Sequence, residues 1–200
     1  MESKINPILV KELREITGAG MMSCKKALQE SNGNYDEAIK ILRQKGLSLA
    51  DKKTGRLTTE GIIGSYIHTG NKLGVLYEIN CETDFVARRT EFQEFAKNIG
   101  MQIAASPNVN FISVTDIPDE IVEFEKSIES NKEDLKTKPD HIKMKIITDR
   151  INKTLKTRSL LDQPFIKDNS QTVETVLKQL ISKTGENIKI ARFVKFQLGT

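Results

Sequence analysis

The sequence predicts an α+β protein in which an antiparallel sheet is covered by helices and preceded by a helical module. Two observations lead to this prediction. Apolar side chains recur only at helical spacing in the first 46 residues, and their period changes to two in residues 63–79 and again in residues 188–198. Helical patterns fill most of the chain between these β segments. The expected domains are a three-helix module over 1–46, a linker over 47–59 and a core over 60–200.

The N-terminal module is predicted to contain three short helices. Asn6 can cap the first helix, and Gly18 and Gly20 end it in a turn. Gly46 stands where a C-terminal cap of the third helix belongs. The expected bounds are Pro7 as the first helical residue, Ser23–Glu30 for the second helix and Asp36–Lys45 for the third. Helices this short bury little surface, so the module suits docking better than catalysis.

The predicted core begins with a β-hairpin that leads into a helix. Two β-rich runs, Ile63–Ile67 and Leu73–Ile79, are separated by the turn-forming residues Thr69–Lys72. The residues Thr90–Gln93 resemble a capping box. The apolar side chains of Phe92–Ile103 then fall on one helical face. Strand and helix are therefore expected to pack together.

The second half of the chain alternates between helical and extended patterns. The expected elements are a short strand over Val109–Val114, a polar helix from Pro118 to Ser130, a helix opened by Pro139 with an isoleucine stripe, a helix over Val173–Ile181 and a final strand. Gly185 should stop the last helix. In the final strand we expect one buried face, which is formed by Ile188, Ile190, Val194, Phe196 and Leu198 and is interrupted by Arg192.

The most informative stretch is the nine residues Asn80–Arg88, which leave an apolar run and open a helix. Phe85 follows Asp84 at that opening, where a small polar residue is more usual. A helix start presents unpaired N–H groups and the positive end of its dipole, so it suits docking. By residue type alone, burial in the protein's own core is the commoner role of an aromatic residue. A wedge aimed at a partner is the alternative.

The sequence offers little material for an active site. Its glycines do not lead into the Lys-Ser/Thr pair of a phosphate-binding loop. Cys24 and Cys81 are too few for a disulfide framework and are not spaced as a metal knuckle. No apolar run approaches the roughly 20 residues that cross a bilayer. We therefore predict a protein that binds other proteins, without a catalytic residue, cofactor, metal or membrane, and the start at Met1 suggests no targeting leader.

Three alternatives in other classes stay open at this point. The net charge is +4, with net positive ends around a net negative middle, and a basic helix over 140–158 could bind RNA through Lys143, Lys145, Arg150, Lys153 and Lys156. The N-terminal module could act alone as a protein-binding adaptor. A hydrolase could use Glu82, Asp84 and His68, although adjacent acids at a helix start usually answer its dipole.

Blocks along nearly the whole chain resemble the elongation factor Ts family, the guanine-nucleotide exchange factors of elongation factor Tu. The matching blocks are Leu9–Arg14, Thr17–Met22, Cys24–Leu28, Glu60–Gly61, Asn80–Arg88, Ile103–Pro107, Leu160–Phe165 and Gly185–Val194. The chain departs from the family at Ser23, where Asp is usual, and at Ala191 and Lys195, which replace two arginines. Weaker charge pairing is expected there.

The resemblance implies a fold and specific roles. The N-terminal module should resemble a ubiquitin-associated domain that docks on the GTPase domain of elongation factor Tu. The Thr-Asp-Phe-Val motif, here Thr83, Asp84, Phe85 and Val86, should dislodge Mg²⁺ from that partner so that GDP leaves. Further partner contacts are expected from Gly18, Ala19, Gly20, Met21, Met22 and Arg192. The chain itself should bind no nucleotide.

The resemblance also bears on assembly and location. Residues 108–138 are short, as in the compact members of the family, so contacts supplied by a longer insertion are absent. A homodimer could provide the full contact with the partner. The sequences of the segments Ser65–Gly70 and Ala105–Val109 most resemble those of the cyanobacterial and plastid members of the family. It implies a plastid-encoded protein of the chloroplast stroma, with a bacterial cytoplasm as the alternative.

Overall fold

A computed structural model describes residues 6–135 and 138–199, and it has the α+β architecture that the sequence predicts. The helices are α1 (Pro7–Thr17), α2 (Met21–Glu30), α3 (Tyr35–Asp51), α4 (Asp84–Ala87), α5 (Thr90–Ala105), α6 (Asp119–Ser130), α7 (Asp140–Arg158) and α8 (Val173–Thr184). The strands are β1 (Glu60–Ile67), β2 (Leu73–Cys81), β3 (Pro164–Phe165), β4 (Asp168–Thr172) and β5 (Ile188–Gln197).

The strands form a three-stranded antiparallel sheet in the order β1-β2-β5 and a separate antiparallel pair of β3 and β4. The hairpin and the final strand are confirmed, whereas the β3–β4 pair was not expected. By its contacts the described chain divides into two compact units. The first unit comprises residues 6–62, 79–94 and 175–189, and the second comprises 63–78, 95–135, 138–174 and 190–199. The strands β1, β2 and β5 each contribute residues to both units.

The first unit contains the N-terminal helices. Asn6 caps α1 as predicted, because its side chain accepts a hydrogen bond from the N–H of Ile8 at 3.0 Å and Pro7 follows. The helices bury one small cluster, formed by Val10, Leu13, Cys24, Ala27, Leu28, Ala38 and Leu42. Helix α2 begins at Met21, two residues before the predicted start. The methionines of the turn therefore belong to its first helical turn.

Helix α3 corrects the predicted end of the third helix. It continues past Lys45 to Asp51, through part of the predicted linker, so Gly46 is helical and is no cap. A Cβ atom at Gly46 would lie 2.9 Å from the hydroxyl of Ser182 on α8. The glycine therefore lies where two helices approach each other closely, which a pattern of local caps cannot reveal. Asp51 also pairs with Lys178 of α8 at 2.9 Å.

In the second unit, α5 packs on one face of the sheet. Its apolar side chains Phe95, Ala96, Ile99 and Ile103 are at most 5% exposed. The ring of Tyr77 from β2 lies against Gly64 and Gly100, so closely that a Cβ atom at either glycine would overlap it. The predicted helical stripe is confirmed, and its packing places α5 against the strands that precede it.

The predicted burial of the final strand is wrong beyond Ile190. Val194, Phe196 and Leu198 are 42%, 68% and 75% exposed. The opposite face carries Lys195, whose ammonium donates hydrogen bonds to the carbonyls of Ser106, Pro107 and Val109 at 2.6–3.1 Å, and burial lowers the pKa of Lys195. Lys195 thus donates hydrogen bonds to the carbonyl groups that follow α5, as a cation at a helix C-terminus commonly does. The apolar pattern therefore predicts the buried face correctly at Ile188 and Ile190 but fails over the second half of the strand.

The segment between α5 and α7 forms a small subcluster in the second unit. The predicted strand near Val109–Val114 is replaced by an isolated bridge between Phe111 and Ser159 and a 3₁₀ turn over Val114–Asp116. The helix from Pro118 to Ser130 is confirmed as α6. It packs with α7 around Ile117, Ile151 and Leu155. The described helices include none with the length and hydropathy of a membrane span.

Candidate functional site

The Thr83–Val86 motif forms the start of α4, a single helical turn that follows β2. Phe85 is 78% exposed, whereas Val86 and Ala87 beside it are buried. Asp84 pairs with Arg88 across the turn at 2.9 Å. A helical turn of four residues is not stable alone in water, because the conformational entropy lost in nucleating a helix exceeds the free energy gained from the hydrogen bonds of one turn. The exposed aromatic ring is therefore presented by a segment that its surroundings must hold.

The N-terminal end of α4 is held by a carboxylate from a distant part of the first unit. Glu186 accepts hydrogen bonds from the N–H of Thr83 at 3.0 Å and from the Thr83 hydroxyl at 2.6 Å. The Thr83 side chain makes no capping bond to α4 itself. Glu186 follows Gly185, which turns the chain after α8 with a φ of 81°. One carboxylate thus binds two donors of the same residue and fixes the backbone just before Phe85.

A second exchange of hydrogen bonds lies beside the first. Glu82 accepts a hydrogen bond from the N–H of Asn187 at 2.6 Å and pairs with Arg56 at 3.6 Å. The side-chain amide of Asn187 donates to the carbonyl of Arg56 at 2.8 Å. The residue pairs 82–83 and 186–187 therefore contact each other reciprocally. This arrangement follows from the sheet order, because the end of β2 lies beside the start of its antiparallel neighbour β5.

The C-terminal end of α4 is also capped. The Gln93 side chain donates to the carbonyl of Ala87 at 2.6 Å, whereas the predicted capping box assigned Gln93 to the start of α5. Thr90 is already the first residue of α5, so that part of the prediction is wrong. The buried Cys81 thiol donates to the carbonyl of Thr83 at 3.1 Å. Burial, followed by the negative charge of Glu186, raises the pKa of Cys81 to about 11, so the thiol is poorly suited to act as a nucleophile.

The predicted contact residues Gly18–Met22 join α1 to α2 in the same unit as α4. Gly18 ends α1 with a φ of 67°, and its N–H donates to the carbonyl of Arg14. Met21 and Met22 are 47% and 65% exposed, and Ile16 near the end of α1 is 69% exposed. Ala19 is half-buried. The turn therefore presents a small apolar surface of Ile16, Met21 and Met22.

Arg192 belongs to the second unit, unlike the other predicted contact residues. Its side chain is 80% exposed, and its Nε donates to the carboxylate of Glu78 at 2.7 Å. The expected interruption of the final strand is thus an exposed ion pair. Its role toward a partner stays a prediction.

The structure lends no support to the hydrolase alternative. His68 bonds to the Tyr66 hydroxyl at 3.1 Å, and the carboxylates of Glu82 and Asp84 are engaged as described above. Within residues 6–135 and 138–199, no group of three or more histidine, cysteine or acidic side chains could hold a metal ion.

The basic helix of the RNA-binding alternative is partly neutralised by its neighbours in the second unit. Arg150 pairs with Asp134 and Glu129, and Arg158 pairs with Glu125. Lys156 lies 3.7 Å from Asp162. A face built to bind phosphates keeps its cations available for them. The ion pairs therefore favour a structural role for these arginines in holding α7.

Acid titration provides a test of the local electrostatics next to α4. Glu91 accepts a hydrogen bond from its own backbone N–H, and it pairs with Lys183 and Arg89; these contacts lower its pKa from 4.5 to about 2. Because the folded pKa lies below the unfolded one, the stabilisation is complete above about pH 4.5 and is lost as the pH falls toward 2.

We expect Glu91→Gln to reduce the free energy of unfolding by about 1 kcal/mol at neutral pH, after allowance for solvent screening of this partly exposed pair. Urea unfolding across that pH range measures it. The difference between the two proteins should shrink toward zero at the acid end. A difference that stays constant with pH would contradict the assignment.

Sequence reasoning missed the residues that hold the motif. Glu186 and Asn187 were noticed only as part of a block that resembles the family. Gln93 was expected to cap the start of α5, whereas its side chain caps the end of α4. No local pattern reveals Glu186, because its hydrogen bonds span 103 residues of sequence. The sequence does place one carboxylate just after β2 (Glu82) and one just before β5 (Glu186). Their positions next to neighbouring strands were the available indication of this contact.

Comparison with known proteins agrees with these observations. The family model described as Elongation factor TS matches residues 4–200. The chain is 61% identical over 197 residues to "Elongation factor Ts, chloroplastic" of Galdieria sulphuraria, which covers 98% of this chain and 99% of that protein. It is 59% identical to the protein of the same name from Guillardia theta, over 100% of this chain and 91% of that protein. It is 57% identical to "Elongation factor Ts" of Rippkaea orientalis, over 98% and 79%. With this match over nearly its whole length, its α+β fold and a Thr-Asp-Phe-Val turn that exposes Phe85, the chain belongs to the elongation factor Ts family.

Proposed function

We propose that this protein is a guanine-nucleotide exchange factor that binds elongation factor Tu in its GDP-bound and nucleotide-free states. The proposal is carried by Phe85, an aromatic side chain 78% exposed on a turn whose backbone is held at both ends. A large exposed apolar side chain on a fixed backbone loses little conformational freedom when it enters a partner. Membership of the elongation factor Ts family supports the choice of partner and a role in translation elongation.

In this mechanism Phe85 enters the partner next to its nucleotide site and displaces Mg²⁺. Asp84 lies at the edge of the contact, and Thr83 and Val86 fix the turn. An aromatic side chain buried in a partner contributes about 2–3 kcal/mol. Nanomolar nucleotide affinity corresponds to roughly 12 kcal/mol, so the wedge cannot oppose it alone. Exchange therefore needs further contacts that favour a nucleotide-free and metal-free shape of the partner.

The apolar surface of Ile16, Met21 and Met22 is the proposed source of such contacts. It lies in the same compact unit as α4, and the turn between α1 and α2 contacts α8 through Gly18 and Lys183. Methionine side chains adapt their shape readily to a partner surface. The N-terminal helices therefore act here with the wedge and not as a separate adaptor.

This protein needs no active site for that function. Coupling between two binding equilibria is reciprocal: a factor that weakens nucleotide binding is itself bound more weakly when nucleotide is present. Abundant GTP can then displace the factor after GDP has left. We accordingly propose that the chain is not an enzyme and binds no nucleotide directly.

We also propose that a second copy of the chain covers the open face of the three-stranded sheet in the second unit. Ile63, Ile67, Leu76, Val194 and Phe196 are 42–71% exposed on adjacent strands. These exposed apolar side chains lie around the Arg192–Glu78 ion pair of the same face, and such a concentration of apolar side chains is typical of a protein–protein contact. In a dimer with two-fold symmetry both subunits use the same surface patch. The apolar side chains of this face would then pack against the same side chains of the second copy.

Sedimentation of the Phe196→Glu variant tests this dimer. We expect the wild type to sediment as a dimer at micromolar concentration and the variant as a monomer, because a two-fold contact would bury two unpaired carboxylates. Leu57→Glu places the same charge at an exposed apolar side chain outside the sheet, and this variant should remain a dimer. A wild-type protein that is monomeric under these conditions would refute the proposal.

The site of action is proposed to be the chloroplast stroma. Two of the relatives described above are named chloroplastic, and the third is cyanobacterial. We propose that the protein is of the plastid-encoded type, with a bacterial cytoplasm as the alternative. Immunodetection in isolated plastids of the source organism would test the location.

Release of a labelled GDP from elongation factor Tu is the direct test of the proposed function. Adding the wild-type protein in the presence of Mg²⁺ should raise the release rate by orders of magnitude. The rate should saturate as the concentration of this protein rises. Leaving out the unlabelled nucleotide should lower the observed rate only if released label binds again. No acceleration over spontaneous release would exclude the exchange function.

A further inference from the structure

We infer that Glu186 is a positioning residue of the exchange reaction, which acts on Phe85 through Thr83 without contacting the partner. The inference rests on the proposed function and deepens it by assigning what holds the wedge. It starts from the size of α4, whose four residues form too short a helix to be stable alone. The orientation of the Phe85 backbone must therefore come from contacts outside the turn.

The contacts of Thr83 identify the strongest of these. Both of its donors, the backbone N–H and the hydroxyl, bond to the two oxygens of the Glu186 carboxylate at 3.0 and 2.6 Å. Hydrogen bonds to an ionised carboxylate are shorter and stronger than neutral ones. Because Thr83 is two residues before Phe85, fixing both of its donors fixes the direction in which the chain enters α4.

Glu186 is itself held on the far side. Gly185 before it takes a left-handed conformation and donates its N–H to the carbonyl of Ile181, while Lys53 bonds to the Gly185 carbonyl. Asn187 after it donates to Glu82, the residue that precedes Thr83. The carboxylate therefore belongs to a fixed frame within the first unit. Because Glu186 lies between α8 and β5, its hydrogen bonds fix the start of α4 relative to the end of α8 and the start of β5.

A wedge that must displace a bound ion depends on this frame. Misplacing a reacting or binding group by about 1 Å can cost on the order of 100-fold in rate. Removing Glu186 should leave the apolar surfaces that dock on the partner unchanged. It should therefore lower the maximal rate of GDP release much more than the affinity between the two proteins.

The experiment compares Glu186→Ala, Glu186→Asp and Glu186→Gln in GDP release across a range of factor concentrations. We expect Glu186→Ala to lower the maximal rate roughly 10- to 100-fold, with a change of less than about threefold in half-saturating concentration. Glu186→Asp keeps the charge but is one methylene short, so it should lose about as much. Glu186→Gln keeps an oxygen for the Thr83 N–H and should stay within about fivefold of the wild type. Glu30→Gln, whose carboxylate pairs with Lys45, is the control and should match the wild type.

Amide hydrogen exchange supplies a readout of positioning. The N–H groups of Ala87, Arg88 and Arg89 bond within the turn, and their protection should fall in Glu186→Ala and Glu186→Asp while that of α5 is retained. If Glu186→Ala does not fold, the aspartate and glutamine variants decide. Wild-type rates in Glu186→Asp, or a higher half-saturating concentration at an unchanged maximal rate, would overturn the inference. If the wild type itself fails to accelerate release while α4 is protected, the proposed function is at fault instead.

Discussion

Phe85→Ala should lower the accelerated rate of GDP release from elongation factor Tu by roughly 30- to 150-fold. The figure follows from the 2–3 kcal/mol that burial of an aromatic side chain contributes, at about 1.4 kcal/mol for each factor of ten. The loss should appear in the maximal rate, since the ring is proposed to act while nucleotide leaves. Labelled-GDP release at saturating concentrations of the variant measures it.

The stability of the same variant should not change. Phe85 is 78% exposed, and substitutions of such side chains usually shift the free energy of unfolding by no more than about 0.5 kcal/mol. Phe124→Ala is a matched control, because Phe124 is a 63% exposed phenylalanine on α6. We expect it to exchange GDP at the wild-type rate. An equal loss in both variants, or in neither, would remove the specific role of Phe85.

Gly61→Ala should have the largest effect on stability, a loss of about 3–5 kcal/mol in the free energy of unfolding. Gly61 has a φ of 146°, and a Cβ atom there would lie 2.2 Å from the carbonyl oxygen of Ile79 and 2.7 Å from the Cα of Asn80. Both of these are backbone atoms of the neighbouring strand, so no side-chain rotation can relieve the overlap. The variant must separate β1 from β2 just before the motif. Chemical denaturation measures the loss.

Gly70→Ala separates this overlap from the cost of the backbone conformation. Gly70 also has a positive φ, of 92°, but nothing lies within 4 Å of a Cβ atom there. Only the conformational cost of about 1–2 kcal/mol should remain. Equal losses in the two variants would show that strand contact at Gly61 does not matter.

The features that the sequence predicted well are those encoded by neighbouring residues. The Asn6-Pro7 start of α1 and the left-handed Gly185 after α8 each depend on a local hydrogen-bond or backbone preference. The buried stripe of α5 depends on helical period alone. For the same reason Phe85 could be singled out, because an aromatic residue at a helix start conflicts with the local preference.

The errors fall where a distant residue decides. Gly46 marks the approach of Ser182 and not a helix end. Lys195 occupies the covered face of β5 because three carbonyls after α5 accept its ammonium, which leaves Val194 and Phe196 exposed. Glu186 reaches Thr83 across 103 residues. Polar groups that satisfy one another over such separations follow from the folded topology, and hydrophobic period carries no information about them.

The role of magnesium is tested most directly by repeating GDP release with wild type and Phe85→Ala after Mg²⁺ has been removed with excess EDTA. If Phe85 works by displacing the ion, the ion's absence should bring the two rates to within about threefold of each other, while they differ by at least tenfold when Mg²⁺ is present. A Phe85→Ala deficit that is as large in EDTA as in Mg²⁺ would contradict displacement of the ion as the action of this side chain.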